Sequence, residues 1–258
     1  MNMILRQKPP RQKSRFKLIL LVLALTVIGS WFLFMRSENT PPSEAAQQSQ
    51  ADAFDKTKFS LTDPASPWLV VNKKRILSPA TYAPTDLTTP ATQLKSAGTS
   101  TDMQVRAETA RALESMIAAA KNENINLMLA SGYRSYNTQN TIYNSEVRAY
   151  GQATADKESA RPGHSEHQTG WAADVGATNR KCELQACFAD SAEGKWLAAN
   201  AHSFGFIIRY PKDKTAVTGY TYEPWHVRYV GTDLSNQMYK ENIETLEEFF
   251  NLPAAPDY

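Results

Sequence analysis

"RPGHSEHQTGWAADVG" (Arg161–Gly176) gathers two histidines, an aspartate and three glycines into sixteen residues. Its second half, "WAADV", reads as a short strand. Side chains alternate along a strand, so Ala172 and Asp174 share one face. Gly170 is where the chain can turn between His167 and Asp174, and the small Ala172 and Ala173 allow close backbone packing. Catalytic metals take histidine and carboxylate ligands from a rigid frame. The stretch therefore raises the question of whether it holds part of a metal site, and where the rest lies.

Working outward, "DMQVRAETARALESMIAAAKNEN" (Asp102–Asn124) repeats Val105, Ala112, Leu113, Met116, Ile117 and Ala120 at helical spacing, with Thr101 or Asp102 as its cap. "INLMLAS" reads as a buried strand, and "GYRSYNTQ" as a turn opening a helix to about Tyr150. "SAEGKWLAANAHSFG" is a helix closed by Gly205, "FIIRY" and "WHVRYV" are strands, and "LSNQMYKENIETLEEFFN" is an amphipathic C-terminal helix. Upstream, "WLVVNKKRIL" (Trp68–Leu77) looks like a strand with a charged interruption. Pro79, Pro84 and Pro90 then keep the chain free of helix to about Ser100. Helices and strands mix without regular βαβ alternation, which predicts an α+β fold with a small antiparallel sheet flanked by helices.

The net charge of +2 is unevenly spread. Residues 1–36 carry seven Lys or Arg and no acid, leaving 21 basic and 26 acidic residues beyond, a net of −5. A mildly acidic body argues against a nucleic-acid partner. The basic start runs into "LILLVLALTVIGSWFLFM" (Leu18–Met35), 18 residues without a charge. As a helix they span about 27 Å, close to the bilayer's hydrocarbon thickness. The positive flank predicts a cytoplasmic N-terminus and a body outside the cytoplasm. A cleaved signal peptide, leaving a secreted protein, is the competing reading; the run ends in Trp31, Phe32, Phe34 and Met35 with no clear Ala-x-Ala. The polar, Ala/Gln/Ser-rich residues that follow read as a stalk. The expected organisation is thus 1–17 cytoplasmic basic segment, 18–35 transmembrane anchor, 36–60 stalk and 61–258 folded extracytoplasmic domain. Cys182 and Cys187, the two cysteines of the chain, are expected to pair there, stabilising by about 2 kcal/mol. Zinc binding by this pair is the alternative, without Cys-x-x-Cys spacing or a second pair to support it.

A catalytic zinc usually has three protein ligands and an open position. The chain has four histidines, His164, His167, His202 and His226. His226 lies in "YTYEPWHVRYVG", three residues after Glu223, and a carboxylate beside a metal ligand is a natural general base. The helical His-Glu-x-x-His motif is absent. This suggests His167, Asp174 and His226 as ligands, although His, Asp and His follow no strict spacing rule and three unrelated polar residues remain the blander reading.

Three ordered motifs, "SGYRSYNTQ", "PGHSEHQTGWAADV" and "YTYEPWHVRYVG", together resemble the VanY-type D-alanyl-D-alanine carboxypeptidases of the LAS metallopeptidase superfamily. "WLVVNKKRILSPATYAPTDL" also looks like that family's entry segment, so the resemblance runs from about Trp68 to Gly231. It implies the LAS metallopeptidase fold, one zinc ion held by His167, Asp174 and His226, and Glu223 as catalytic base. It implies that Arg134 polarises the scissile carbonyl or steadies the oxyanion, and that Ser165 and Gln139 touch the substrate. It also implies the reaction, removal of the terminal D-Ala from peptidoglycan stem peptides. His164 is read as orienting its loop and His202 as an ordinary helix-face histidine.

A serine-nucleophile enzyme for the same reaction needs Ser-x-x-Lys, Ser-x-Asn and Lys-Thr-Gly. Here "SRFK" (Ser14–Lys17) falls in the basic N-terminal segment, "SYN" (Ser135–Asn137) stands alone and "KTA" (Lys214–Ala216) fails at its last position. A non-catalytic wall-binding module would not need Glu223 and a full ligand set. L,D-carboxypeptidase, D,D-dipeptidase and endopeptidase remain open as sister specificities, because pocket shape sets them. The long segment before the first helix, Trp68–Ser100, favours carboxypeptidase over dipeptidase.

Overall fold

The structure, a computed structural model, describes residues 54–96 and 100–258. The expected cytoplasmic segment and anchor, and the expected stalk as far as residue 53, lie outside the described residues. Among the described residues no helix is long and apolar enough to cross a membrane. Asp55–Tyr258 form one compact unit. It starts before the boundary expected at 61, because residues 55–60 are held by side-chain contacts: Lys56 Nζ donates to the Phe249 carbonyl at 2.5 Å and Phe59 packs edge-on against Trp68.

In chain order the regular elements are β1 (Leu87–Thr88), β2 (Val105–Arg106), α1 (Ala107–Asn122), β3 (Leu127–Ser131), α2 (Tyr136–Tyr150), α3 (Gln152–Glu158), β4 (Ala172–Ala177), α4 (Ala192–Asn200), β5 (Phe206–Tyr210), α5 (Thr215–Thr218), β6 (Glu223–Tyr229), α6 (Thr232–Glu241) and α7 (Leu246–Phe249). Short 3₁₀ turns stand between them, one at Glu166–Thr169. β1 and β2 make a two-stranded antiparallel ribbon. The main sheet is antiparallel throughout, in the order β3-β4-β6-β5. This is the mixed fold with small antiparallel sheets that the residue patterns predict.

The sheet's two faces differ in chemistry. Ala173, Val175, Val227 and Tyr229 enter the main core with Leu113, Met116 and Ile117 of α1. The alternate residues Asp174, His226 and Arg228 take the other face and are buried there too. Between Ile208 and Tyr210 the register shifts, so that adjacent Arg209 and Tyr210 both reach the polar side.

Several elements depart from the expected pattern for identifiable reasons. α1 begins at Ala107, not near Asp102, because Val105 and Arg106 pair with Thr88 and Leu87 as β2. Neither Thr101 nor Asp102 caps it. "WLVVNKKRIL" is not a strand: Asn72 and Arg75 close a tight turn at Lys73–Lys74. Lys73 is buried rather than solvated, its Nζ donating to the carbonyls of Gly219 at 2.5 Å and Pro256 at 3.3 Å. The C-terminal helix is broken into α6 and α7, with Asn242 in the left-handed conformation at φ 54°. Ser135 caps α2 through its side chain, and Cys182 and Cys187 are joined as a disulfide.

Gly194 in α4 presses its Cα side against the preceding turn: a Cβ there would stand 2.0 Å from the Phe188 carbonyl oxygen. Glycine to alanine within a helix ordinarily gains about 0.5–1 kcal/mol. Here Gly194→Ala should instead cost about 1–3 kcal/mol in urea unfolding, through overpacking against backbone. A stabilised variant would contradict the close approach.

Candidate active site

Cross-strand register builds the centre of the site. In the β4–β6 ladder Asp174 stands opposite His226, 52 residues later in the chain, and Ser131 of β3 pairs with Asp174 on the other side. His167 arrives from the 3₁₀ turn that precedes β4. Gly170, left-handed at φ 72°, closes that turn, and a Cβ on it would meet Arg106 Cγ at 2.8 Å. The two imidazoles meet edge to face, their centroids 4.8 Å apart.

Hydrogen bonding decides which ring nitrogens face inward. His167 Nδ1 donates to the Gly132 carbonyl at 2.6 Å, so its Nε2 carries a lone pair. That Nε2 is buried without a hydrogen-bond partner and lies 3.4 Å from Asp174 Oδ1. His226 Nδ1 lies 3.1 Å from the same oxygen. One ligand atom from each of His167, Asp174 and His226 falls within 4.8 Å of the others. Two imidazoles and one carboxylate converging in a buried place suit zinc. The three residues thus fit the metal.

The electrostatics point the same way. Burial and the Arg134 charge push the His167 imidazole down to about 4. Burial also opposes a charge on His226, yet its bonds to Asp174 and Glu166 carry it up to about 9. Asp174 is buried and still held well below the usual carboxylate range by the two histidines. Glu223, the first residue of β6, places Oε2 3.7 Å from His226 Nδ1, and desolvation raises its carboxyl to about 8.

A cavity of about 40 Å³ opens over these groups, walled in part by Arg134, Ser165, Tyr210, Tyr220 and Glu223. Arg134, Glu158 and Ser159 also line a groove of about 440 Å³ between α2 and α3. Arg134 is fixed through its backbone N–H, which bonds the His167 carbonyl at 3.3 Å, while its side-chain Nε has no protein partner. Gln139 does not line the cavity. Its Nε2 is drawn under the wall by the Ala160 carbonyl at 2.7 Å and Ser159 Oγ at 3.2 Å, which makes it a support for lining residues, not a wall itself. His164 turns away from the ligands, its Nδ1 2.8 Å from the Asn72 carbonyl oxygen and its ring edge-on to Tyr258. His202 stacks on Tyr239, their ring centroids 3.6 Å apart, and does not line the cavity over the ligands.

Sequence reasoning overlooked Glu166. It is wholly buried, as are Arg209 and Arg228. Its Oε1 accepts from Arg209 Nε at 2.8 Å and Arg228 Nη1 at 2.9 Å, and Oε2 lies 3.4 Å from His226 Nε2. Although burial opposes the charge, the two guanidiniums hold Glu166 far below the usual range. Arg209 is shared with Glu247, which also accepts from Asn72. A charged residue between two motif positions, followed by arginines in two core strands, was the signal available. Tyr210 and Tyr220, 4.8 Å apart, were likewise missed.

A buried His, Asp and His set on a small antiparallel sheet, with a carboxylate beside it, is the donor set and base of a zinc-assisted hydrolase. The chain matches the VanY family, D-alanyl-D-alanine carboxypeptidase, over residues 102–232. It is 40% identical over 220 residues to the protein of Bacillus subtilis (strain 168) named "Putative carboxypeptidase YodJ", covering 83% of this chain and 79% of that protein. Among solved structures, the LD-carboxypeptidase LdcB aligns at 42% identity and TM-score 0.69, over 73% of this chain and 87% of its own. A mutant of the vancomycin resistance D,D-pentapeptidase VanY, in complex with Zn(II), aligns at 31% identity and TM-score 0.58, over 71% and 98%. The chain belongs to the VanY family and is a zinc carboxypeptidase.

Metal loading should release protons. His226, raised to about 9, is protonated at pH 7 in the metal-free chain, and a ligating imidazole must be neutral. Calorimetric zinc titrations at pH 7 in buffers of different ionisation enthalpy should show about one proton or more released per zinc, with affinity rising toward pH 9. Binding without proton release would remove His226 as a ligand. His167→Ala should lose the metal and His164→Ala should keep it, as read by metal analysis after dialysis.

Proposed function

We propose that the chain hydrolyses the terminal D-Ala-D-Ala peptide bond of peptidoglycan stem peptides, releasing D-alanine. His167, Asp174 and His226 hold the zinc, Glu223 serves as base and Arg134 as oxyanion partner. The observation that carries this reading is the convergence of ligand atoms from His167, Asp174 and His226 beside the Glu223 carboxylate, in a cavity that continues past Arg134 into a peptide-sized groove.

When bound, zinc supplies Lewis acidity, which acidifies water and polarises a carbonyl. Glu223 accepts the proton of the attacking water and then delivers it to the leaving amine nitrogen as the C–N bond breaks. Desolvation suits it to both steps, because burial raises the carboxyl and so makes it a stronger base than an exposed one. Arg134 lines the cavity with a guanidinium whose Nε has no protein partner, and its charge stabilises the negative charge that develops on the carbonyl oxygen. Ser165 and the Tyr210 and Tyr220 rings limit what fits against the reacting bond.

The likeness to the LD-carboxypeptidase LdcB at 42% identity favours a second reading, cleavage of the L,D bond in a tetrapeptide stem. Mass spectrometry of digests by the full-length chain separates the two. Conversion of pentapeptide to tetrapeptide supports the first, and conversion of tetrapeptide to tripeptide the second. Glu223→Gln should keep zinc and lose about 10²- to 10⁴-fold in turnover. Chelation should abolish activity, and a β-lactam should leave it untouched.

The charge-free run Leu18–Met35 behind a basic flank supports an anchor that holds the catalytic unit outside the cytoplasmic membrane, next to the wall. Protease added to intact protoplasts should digest the catalytic unit. Peptide sequencing of the mature N-terminus separates a retained anchor from a secreted, cleaved form.

A further inference from the structure

We infer that Glu166 is a positioning residue that sets the tautomer and ring direction of His226, so that Nε2 carries the proton and Nδ1 offers its lone pair to the metal. The argument rests on how the carboxylate's two oxygens divide their partners. Oε1 accepts from Arg209 Nε at 2.8 Å and Arg228 Nη1 at 2.9 Å, both fully buried. Oε2 is left facing His226 Nε2 at 3.4 Å. A bare lone pair on Nε2 would oppose that oxygen where both groups are buried, whereas an N–H satisfies it. Nδ1 donates to Asp174 Oδ1 at 3.1 Å in the metal-free chain and is the nitrogen that gives up its proton to a metal, while Nε2 keeps its own against Glu166.

The carboxylate cannot rotate away, because its anchors are themselves anchored. Arg228 Nη2 donates to the carbonyls of Pro67 and Leu69, and its Nε to that of Tyr229. Arg209 makes two further bonds to Glu247, at 2.9 and 2.7 Å, and Asn72 Nδ2 donates to Glu247 at 2.8 Å. Two glutamates and two arginines balance in charge. This cluster links the turn bearing His167, the strands β5 and β6, and the helix α7. The direction of one ligand ring is thereby tied to elements far from it in sequence.

Glu166→Gln tests the idea sharply. The amide has one acceptor, which the two arginines claim, so its NH₂ turns to His226 and forces Nε2 to accept. Zinc affinity, measured by chelator competition on the full-length chain, should fall about 10- to 100-fold. The ¹⁵N shifts of His226 in the metal-free variant should show Nε2 stripped of its proton with Nδ1 still protonated, against protons on both nitrogens in the parent, a signature that loosened packing alone would not produce. Glu166→Gln with Arg228→Met keeps the cluster's charge balance and should behave alike if the single variant does not fold. In the parent chain loaded with zinc, His226 Nε2 should appear as a protonated nitrogen with a slowly exchanging N–H. An unprotonated Nε2 there overturns the inference whatever the variants do. So does either folded variant that binds zinc within threefold of the parent with His226 unchanged. The inference rests on the ligand set proposed above, and the two fail differently: zinc retained by His226→Ala sinks the ligand set, while the outcomes just given sink only the role of Glu166.

Discussion

The pairing of Asp174 with His226 across β4 and β6 is the constraint on which the site depends. Strand side chains repeat with period two, so this register sends Asp174, His226 and Arg228 to one face and Val175, Val227 and Tyr229 to the core. A one-residue slip would exchange the two sets, exposing valines and driving charge into the apolar cluster. The core's demand for its own face and the metal's demand for its ligands are therefore met by the same register. His167 then needs only a short turn before β4 to complete the set.

Burying charge on a sheet face is costly unless every charge is paired. The face opposite the core meets this condition through Glu166, Arg209, Arg228 and Glu247, each wholly buried and each multiply bonded. Ion pairs of this kind are weak arguments for stability, since apolar residues of similar volume would often serve as well. Their directionality is the better explanation. Carboxylate and guanidinium bonds hold the turn, two strands and α7 in one arrangement, and in this protein they stand directly behind a ligand ring.

Legibility in the sequence followed the range of each interaction. The helix α1, the strands β3 to β6 and the Gly205 stop were readable because apolar period and end signals are local. The true start of α1 was not, because Val105 and Arg106 answer to Leu87 and Thr88, partners nearly twenty residues away. "WLVVNKKRIL" has strand composition, but the burial of Lys73 depends on the carbonyls of Gly219 and Pro256, which no local pattern shows. Gln139 was read as facing substrate, and the pull of the Ala160 carbonyl turns it inward. Glu166 looked like an ordinary charge between motif positions, since its partners come from strands forty and more residues on.

By itself the sequence determined the family, the chemistry of the donor set and the identity of the carboxylate three residues before His226. Those are properties of residue types in a fixed order, and order is what a chain carries. Tertiary structure alone decided which nitrogen of His167 is left without a hydrogen bond, which residues wall the cavity and which groups surround His226. These depend on hydrogen bonds between segments that meet only when the sheet closes, so the Gly132 carbonyl behind His167 and the Glu166 carboxylate behind His226 become visible only in the fold.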